Sequence, residues 1–223
     1  MKNIILLHGA LGDESQMFDL QKELSSRFNC FTFSFPGHGK KAKQNNAFSI
    51  SAFAEDLKRF ILKNHLSGCD IFGYSMGGFV ATYLCYTNPS LISKVTTYGT
   101  QFNWSPEISA KETQRLNPEI ITAKVPAFAK ALEKTHGSNW KNILKNTADL
   151  MTNLGANNPL NETVLQSIQN EITILRGSED NMITSDFSRQ VSLLLPNSEF
   201  HKIKGLPHPL QKVDLNLLAQ FIT

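Results

Sequence analysis

Short apolar runs alternate with amphipathic stretches over the first hundred residues of the chain. Four of the runs, at residues 3–7, 29–35, 69–74 and 94–98, have the length and the β-branched or aromatic content of buried strands. Between them, apolar residues recur at the three-to-four-residue spacing of one helix face. Because strands that alternate with helices are typical of a parallel sheet covered by helices, the pattern predicts the α/β class.

Three helices are predicted between these strands. The first has its apolar positions between residues 18 and 28, and the second between residues 53 and 61, with Ser51 as its N-cap. The third begins directly after Ser75 and ends near Asn88, because Pro89 cannot continue a helix.

The alternation breaks after Gly99 and resumes at residue 172. Residues 101–160 lack a convincing strand; they hold prolines at 106, 118 and 126, close to expected helix starts, and a helical run over 140–154 that we expect to stop at Gly155. Strands at 172–176 and 199–203 then alternate with helices at 185–194 and 210–222. We predict a mostly parallel sheet of about six strands with flanking helices, residues 1–100 and 161–223 forming its core and residues 101–160 an inserted helical cap. Extra packing against the edge of the sheet is the alternative role for the insertion.

Composition narrows the class of protein further. Of 223 residues, 41% are hydrophobic and 18% charged, which favours a folded domain over a disordered chain. The apolar runs are too short to cross a membrane or to form a secretory signal, and the three cysteines lack metal-binding spacing. We therefore expect a cytoplasmic protein with reduced, buried thiols, no metal and no cofactor.

The charge of the chain predicts neither a nucleic-acid partner nor a membrane partner. The formal net charge is +3 and both signs are dispersed, which is too weak for a nucleic-acid footprint. One local cluster, Lys40, Lys41 and Lys43, would suit an anionic ligand, although a solvated loop is the simpler interpretation. The sequence carries no signal for an oligomeric state.

The sharpest chemical motif is residues 73–78, which read Gly-Tyr-Ser-Met-Gly-Gly and contain G-x-S-x-G. The motif lies between a predicted strand and a predicted helix. A serine on such a tight turn is held clear of the sheet, and the small residues on either side prevent clashes. The helix that follows offers backbone N–H groups to developing negative charge. Ser75 is therefore the candidate nucleophile.

A serine nucleophile needs a base, and the base needs an orienting group. Asp180 follows the strand at 172–176, and His208 follows the strand at 199–203. Because loops after parallel strands open on one edge of the sheet, Ser75, Asp180 and His208 are expected to converge there. Glu179 is the rival of Asp180. The other histidines are expected elsewhere: His38 in a structural or substrate-contact position, His201 packed within a strand, and His65 and His136 at the surface.

Acyl transfer also needs two fixed donors for the oxyanion of its tetrahedral intermediate. The amide of Met76, directly after the candidate nucleophile, supplies one. The first strand ends in His8-Gly-Ala-Leu-Gly12, whose glycines allow close backbone approach, so the amide of Ala10 is the expected second donor.

Five segments together resemble the α/β-hydrolase fold family over essentially the whole chain: residues 8–12 (HGALG), 35–39 (FPGHG), 73–78 (GYSMGG), 177–180 (GSED) and 205–208 (GLPH). The resemblance implies a capped serine hydrolase. It implies Ser75 as nucleophile, Asp180 as orienting acid and His208 as base, with the amides of Ala10 and Met76 as the oxyanion hole.

Several features depart from the family pattern. The usual N-terminal antiparallel hairpin is expected to be absent, since the chain opens on what resembles the family's third strand. Pro207 precedes His208 where the family most often has glycine, and Glu171 stands where a proline commonly precedes the sixth strand. Residues 8–12 and 73–78 are similar to the menaquinone-pathway synthase, but residues 78–80 read Gly-Phe-Val where that group typically carries an arginine for a carboxylate. The motifs are equally similar to those of small carboxylesterases and of cofactor-free peroxidase-like members of the family.

The leading hypothesis is hydrolysis of a carboxylic ester or thioester of a small-molecule acyl substrate through an acyl-enzyme. One alternative is a lyase or synthase that uses the same triad on an anionic substrate. Another is a ligand-binding protein that has kept the fold. Four aromatic residues could line an apolar acyl pocket: Phe79, Phe102, Trp104 and Trp140.

Overall fold

One parallel sheet organises the molecule. The structure, a computed structural model, describes residues 1–42 and 47–223. The strands in these ranges are β1 (Lys2–Leu7), β2 (Phe28–Phe33), β3 (Cys69–Tyr74), β4 (Ile92–Tyr98), β5 (Glu171–Glu179) and β6 (Ser198–Pro207). All neighbours pair in parallel in the order β2-β1-β3-β4-β5-β6. The predicted α/β class with a sheet of about six strands is confirmed.

Helices cover both faces of this sheet. They are α1 (Phe18–Leu24), α2 (Ile50–Lys63), α3 (Met76–Thr87), α4 (Pro106–Thr113), α5 (Pro118–Lys124), α6 (Pro126–His136), α7 (Trp140–Ala156), α8 (Glu162–Ser167), α9 (Ser185–Leu194) and α10 (Leu215–Ala219). In the described ranges, none of these helices combines the length and the apolar content that a membrane span requires.

The two faces of the sheet bury separate apolar clusters, as the alternation of side chains along a strand requires. Ile5 and Leu7 of β1 face α2, α3, α8 and α9, whereas Ile4 and Leu6 face α1 and α10. Buried strands with apolar residues on both faces are typical of parallel sheets. The three cysteines are free thiols, but Cys30 is partly exposed rather than buried as expected.

Helices α4 to α8 lie between β4 and β5 in the chain without interrupting the sheet, since Tyr98 of β4 pairs directly with Leu175 of β5. Pro106, Pro118 and Pro126 are the first residues of α4, α5 and α6, as their fixed φ favours. Leu132 and Leu144 belong to a small apolar cluster of their own within this segment.

Four predicted boundaries were wrong. Phe28 begins β2 instead of ending α1, and the N-cap of α2 is Ser49, whose hydroxyl accepts from the Ala52 N–H at 3.2 Å, not Ser51. Gly155 lies inside α7 because that helix continues to Ala156. The predicted helix over 210–222 is a 3-10 turn followed by the short α10, which Asp214 caps through the Leu217 N–H.

Candidate active site

Ser75 occupies the junction between β3 and α3 in a strained backbone conformation. Its φ is 51° and its ψ is −114°, a combination that side-chain-bearing residues rarely adopt. Four hydrogen bonds hold its backbone. The N–H donates to Tyr98 O at 2.8 Å, and the carbonyl accepts from Gly78 N–H and Thr100 Oγ1, both at 3.0 Å, and from the Phe79 N–H at 3.3 Å. The neighbourhood therefore fixes the residue at this edge of the sheet.

The glycines of the motif are needed because α3 starts very close to the sheet. A Cβ at Gly77 would lie 2.7 Å from Leu7 O and 2.8 Å from His8 O. A Cβ at Gly73 would overlap the backbone of Gly77 and Gly78. These close approaches explain why small residues flank Ser75 on both sides.

Asp180 and His208 form a buried hydrogen-bonded pair at the carboxyl ends of β5 and β6. His208 Nδ1 lies 2.8 Å from Asp180 Oδ2, and the residues are 6% and 4% exposed. Because a carboxylate only accepts, Nδ1 carries the proton and Nε2 keeps a free lone pair. Glu179, the rival acid, is exposed.

Further contacts orient the Asp180 carboxylate. Oδ1 accepts from the Met182 and Ile183 N–H groups at 2.8 and 2.9 Å, and Arg176 ties the same loop through the carbonyls of Asp180 and Ile183. Burial opposes ionisation, but the hydrogen bond and charge of His208 and the two N–H donors outweigh it, so the pKa of Asp180 lies below its ordinary value. The pair consists of an aspartate and an imidazole with a fixed tautomer.

The loops after β3, β4, β5 and β6 bring the three predicted residues to one edge. The His208 ring lies beside the Tyr74 ring, with 5.5 Å between centroids, and the Tyr98 hydroxyl donates to Pro207 O at 2.5 Å. In the part of the chain that the structure describes, no hydrogen bond joins the Ser75 hydroxyl to His208. Such bonds often tighten only when substrate binds.

Ala10 and Ser75 lie together because β1 and β3 are neighbours. The Gly12 N–H donates to Gly9 O at 3.2 Å, which closes a turn with Ala10 and Leu11 at its centre. Leu11 has a φ of 63°, which is unfavourable for a side-chain-bearing residue. The turn is tied to its surroundings by the Gly9 N–H, which donates to Gln16 Oε1 at 2.9 Å.

His8 anchors the start of this turn. Its Nε2 accepts from the Phe35 N–H at 3.1 Å, so Nδ1 carries the proton and donates to Gly9 O at 2.7 Å. Burial lowers the pKa of His8 to about 4, which keeps the imidazole neutral. The segment predicted to supply the second oxyanion donor, residues 9–12, is therefore a hydrogen-bonded turn. The neutral side chain of His8 holds its first residue.

A small, mostly apolar cavity adjoins Ser75. Its volume is about 40 Å³, and Ala10 and Met76 line it together with the serine. The opposite wall comes from Trp104 and from four residues of α7: Thr147, Leu150, Met151 and Leu154. Of the four aromatic residues suggested from the sequence, Phe79 and Trp104 line this cavity, whereas Phe102 and Trp140 do not.

One polar group in the cavity wall lacks a protein partner among the described residues. Thr147 is fully buried, and among residues 1–42 and 47–223 its hydroxyl has no hydrogen-bond partner. A buried hydroxyl without a partner is destabilising.

Two lysines of the basic cluster, for which a solvated loop was preferred over an anionic-ligand site, form ion pairs. Lys40 Nζ lies 3.6 Å from Glu14 Oε1, and Lys41 Nζ lies 3.0 Å from Asp56 Oδ2. Lys43 lies outside the described residues. Lys40 and Lys41 therefore give no support to an anionic substrate.

Two expectations about histidines, those for His136 and His201, were wrong. The structure also gives the surroundings of His38, which was expected in a structural or substrate-contact position. His136 is buried rather than at the surface, and His201 is part-exposed beside Glu199 at 3.2 Å rather than packed within its strand. His38 is buried, stacked on Phe48 with 5.1 Å between centroids, and donates from Nδ1 to Pro36 O at 3.0 Å, which is a structural position.

Comparisons with known proteins show the family to which this fold belongs. Residues 2–119, more than half of the chain, match the family described as alpha/beta hydrolase fold. The pimeloyl-acyl-carrier-protein methyl ester esterase of Vibrio cholerae is 25% identical over 123 residues, 55% of this chain and 45% of that protein. The chain spans only 27% to 45% of the length of the first curated relatives that it matches.

Solved structures extend the likeness of fold over the whole chain. A thermophilic esterase from Thermogutta terrifontis superimposes with a TM-score of 0.78 at 18% identity, covering 100% of this chain and 88% of that one. MenH from S. aureus has the same TM-score at 19% identity, covering 99% and 91%. At these identities the similarity concerns the fold.

Proposed function

Because the chain belongs to the alpha/beta hydrolase fold family, we propose that it is a serine hydrolase that cleaves a carboxylic ester or thioester through an acyl-enzyme on Ser75. The observation that carries the proposal is the 2.8 Å hydrogen bond between His208 and Asp180 at the edge where Ser75 is held. The name of the Vibrio cholerae relative, a methyl ester esterase, supports ester cleavage as the reaction class.

In the first half-reaction the Ser75 oxygen attacks the carbonyl carbon while Nε2 of His208 takes its proton. Asp180 holds the tautomer and stabilises the imidazolium that forms. The electron pair of the carbonyl bond moves to its oxygen, and the amides of Ala10 and Met76 donate to that oxyanion. Collapse of the intermediate breaks the bond to the leaving group, which takes the proton from His208.

In the second half-reaction water attacks the acyl-enzyme, and the same groups act in reverse. His208 removes a proton from the water, and the oxyanion forms again against the two amides. Collapse then breaks the bond to Ser75, which recovers its proton from His208, and releases the carboxylic acid. Water is the only co-reactant that these two half-reactions use.

The cavity beside Ser75 supports a short acyl group as substrate. About 40 Å³ is room for roughly three water molecules. An acyl chain of about two to four carbons fills such a space. Residues 101–160 would then act as a cap that limits the acyl chain through Thr147, Leu150 and Leu154.

Labelling with a fluorophosphonate probe tests the proposed nucleophile. We expect the wild-type protein and Ser167→Ala, a surface-serine control on α8, to be labelled equally. Ser75→Ala should be unlabelled and should lose at least about 10³-fold in kcat on p-nitrophenyl acetate. Absence of label from the wild-type protein, or equal labelling of Ser75→Ala, would contradict the proposal.

The acyl-length proposal has a separate test. We expect kcat/KM to be highest for p-nitrophenyl acetate or butyrate and to fall at least about tenfold at octanoate. A preference for octanoate in a labelled, active protein would contradict the short-acyl pocket while leaving the serine mechanism in place.

A further inference from the structure

One buried side chain of the helices inserted between β4 and β5 donates a hydrogen bond to the turn at residues 9–12. We propose that His136, the last residue of α6, is a positioning residue that holds the turn Gly9–Gly12 in the conformation that presents the Ala10 amide. This inference rests on the proposed function, because it assigns His136 a role in the same oxyanion hole.

The turn needs an external restraint because its centre is strained. Leu11 has a φ of 63°, and the left-handed conformation costs a side-chain-bearing residue about 1–2 kcal/mol. Strained conformations persist only where surrounding contacts over-determine them. If Leu11 relaxed to a negative φ, the peptide between Ala10 and Leu11 would rotate and disturb the adjoining Ala10 amide.

His136 supplies the restraint at the strained residue itself. Its Nδ1 accepts from the Gly39 N–H at 3.0 Å, so the proton resides on Nε2, which donates to Leu11 O at 3.0 Å. Burial lowers the pKa of His136, and this effect exceeds the opposing effects of the Leu11 carbonyl and the Asp13 carboxylate. The lowered pKa agrees with a neutral ring. His136 therefore joins two loops that follow different strands.

The Leu11 side chain is held by the same inserted segment. It packs against the small apolar cluster formed by Ile121, Ala129, Leu132, Trp140 and Leu144. Both the carbonyl and the side chain of Leu11 are thus anchored on the α5–α7 region, one residue from the proposed oxyanion donor. Displacement of these helices would remove both anchors together.

Two substitutions separate the contacts of His136. In His136→Gln the amide nitrogen reaches the position of Nε2 and can still donate to Leu11 O. In His136→Asn the shorter amide reaches only the position of Nδ1, so it can accept from the Gly39 N–H but cannot reach Leu11 O. Both variants lose one of the two hydrogen bonds and the aromatic packing, so they are matched in structural damage.

We expect His136→Asn to lose about 10–100-fold in kcat on p-nitrophenyl acetate with KM changed less than about threefold, as for a weakened oxyanion donor. Its affinity for a trifluoromethyl ketone, which forms a tetrahedral oxyanion adduct, should fall by a similar factor. His136→Gln should stay within about threefold of wild type in both measurements. The Tm values of the two variants should be similar.

The outcomes distinguish this inference from the proposed function. If wild-type protein is not labelled by fluorophosphonate, the serine mechanism fails and this inference fails with it. If wild type is labelled but His136→Asn keeps its kcat, only the positioning role is overturned. Equal losses in both variants that follow their Tm values would also overturn it, because they would indicate a purely structural residue.

Discussion

Gly99 shows how tightly the backbone encloses the His208–Asp180 pair. Its φ is +61°, and a Cβ there would lie 3.1 Å from His208 Nδ1 and 3.4 Å from Asp180 Oδ2. We expect Gly99→Ala to displace the imidazole by a few tenths of an ångström. This displacement should lower kcat on p-nitrophenyl acetate by up to about tenfold, since catalysis depends on the alignment of the reacting groups. The measurement is steady-state turnover of the folded variant.

Gly68→Ala is the matched control for Gly99→Ala. Gly68 has a φ of +79°, but nothing lies within 4 Å of the position that its Cβ would take. Both substitutions should cost about 1 kcal/mol in the free energy of unfolding through backbone strain. Equal activity of the two variants would contradict the importance of the space beside His208.

Thr147 offers a test of the unpaired hydroxyl in the cavity. We expect Thr147→Val, which keeps the β-branched shape, to raise the free energy of unfolding by up to about 1 kcal/mol. The cavity also becomes more apolar, so kcat/KM for p-nitrophenyl butyrate should rise. Chemical denaturation and the same ester assay measure the two effects.

The control for this substitution lies in the same helix. The Thr152 hydroxyl is exposed and donates to Ala148 O at 2.9 Å, so Thr152→Val removes a satisfied hydroxyl and should not stabilise the protein. A loss of stability in Thr147→Val would mean that its hydroxyl has a partner, such as bound water.

Sequence patterns predicted the positions of residues that depend on their neighbours in the chain. They missed His136, whose contacts are distant in the chain. Ser75 and His208 each follow a short apolar strand, so their place at the sheet edge could be predicted from neighbouring residues. His136 gave no such signal: its partners Gly39 and Leu11 are 97 and 125 residues away in the chain. Its burial depends on how the inserted helices dock, which no local pattern encodes.

At the scale of elements, Gly155 allows α4 and α7 to approach each other closely. A Cβ there would lie 2.7 Å from both Ser105 O and Ser109 Cβ. Helix propensity favours alanine by about 1 kcal/mol, but overpacking against backbone costs about 1–3 kcal/mol. We expect Gly155→Ala to lower Tm and to raise KM for p-nitrophenyl butyrate, because α7 lines the cavity.

Asn153→Ala provides the comparison for Gly155→Ala. Asn153 is exposed on α7, so its replacement by alanine gains helix propensity without a clash and should raise Tm slightly. If Gly155→Ala also raised Tm, the close approach of α4 and α7 would not limit the packing of these helices.

The same glycine explains an error at the scale of elements. A glycine after a helical run usually marks its end, which is why the sequence predicts a helix end at Gly155. Here the glycine is needed because α4 lies very close to α7, and not because the helix ends. The sequence does not distinguish these two reasons for a glycine. Helix starts were predicted better, because a proline at the first turn carries its own conformational restriction.

At the scale of the whole molecule, three buried histidines should make the fold sensitive to acid. Burial lowers the pKa of His8 to about 4 and holds those of His38 and His136 below 6.5. Below pH 6.5 the unfolded chain binds more protons than the native one, so the free energy of unfolding falls as pH falls. A histidine that is protonated in the unfolded chain and neutral in the native one contributes a slope of about 1.4 kcal/mol per pH unit. His8 approaches this slope between its native pKa of about 4 and 6.5.

Urea denaturation at pH 7, 6 and 5 measures this effect. In His136→Gln the free energy of unfolding should fall less steeply between pH 7 and pH 5 than in the wild-type protein, because a histidine with a lowered pKa has been removed. Asp180 does not contribute in this window: its pKa is lowered, so its stabilisation is lost only as pH falls below about 3.8. Constant stability from pH 7 to 5 would contradict the prediction.

The strained backbone of Ser75 lowers the thermal stability of the protein. Its conformation costs of the order of 1–3 kcal/mol, which glycine would largely avoid. Ser75→Gly should therefore yield a protein that is no less heat-resistant than the parent, yet inert toward esters. Under the proposed mechanism, a library of variants screened for survival on heating alone would therefore lose this serine, whereas a library screened for ester turnover would keep it.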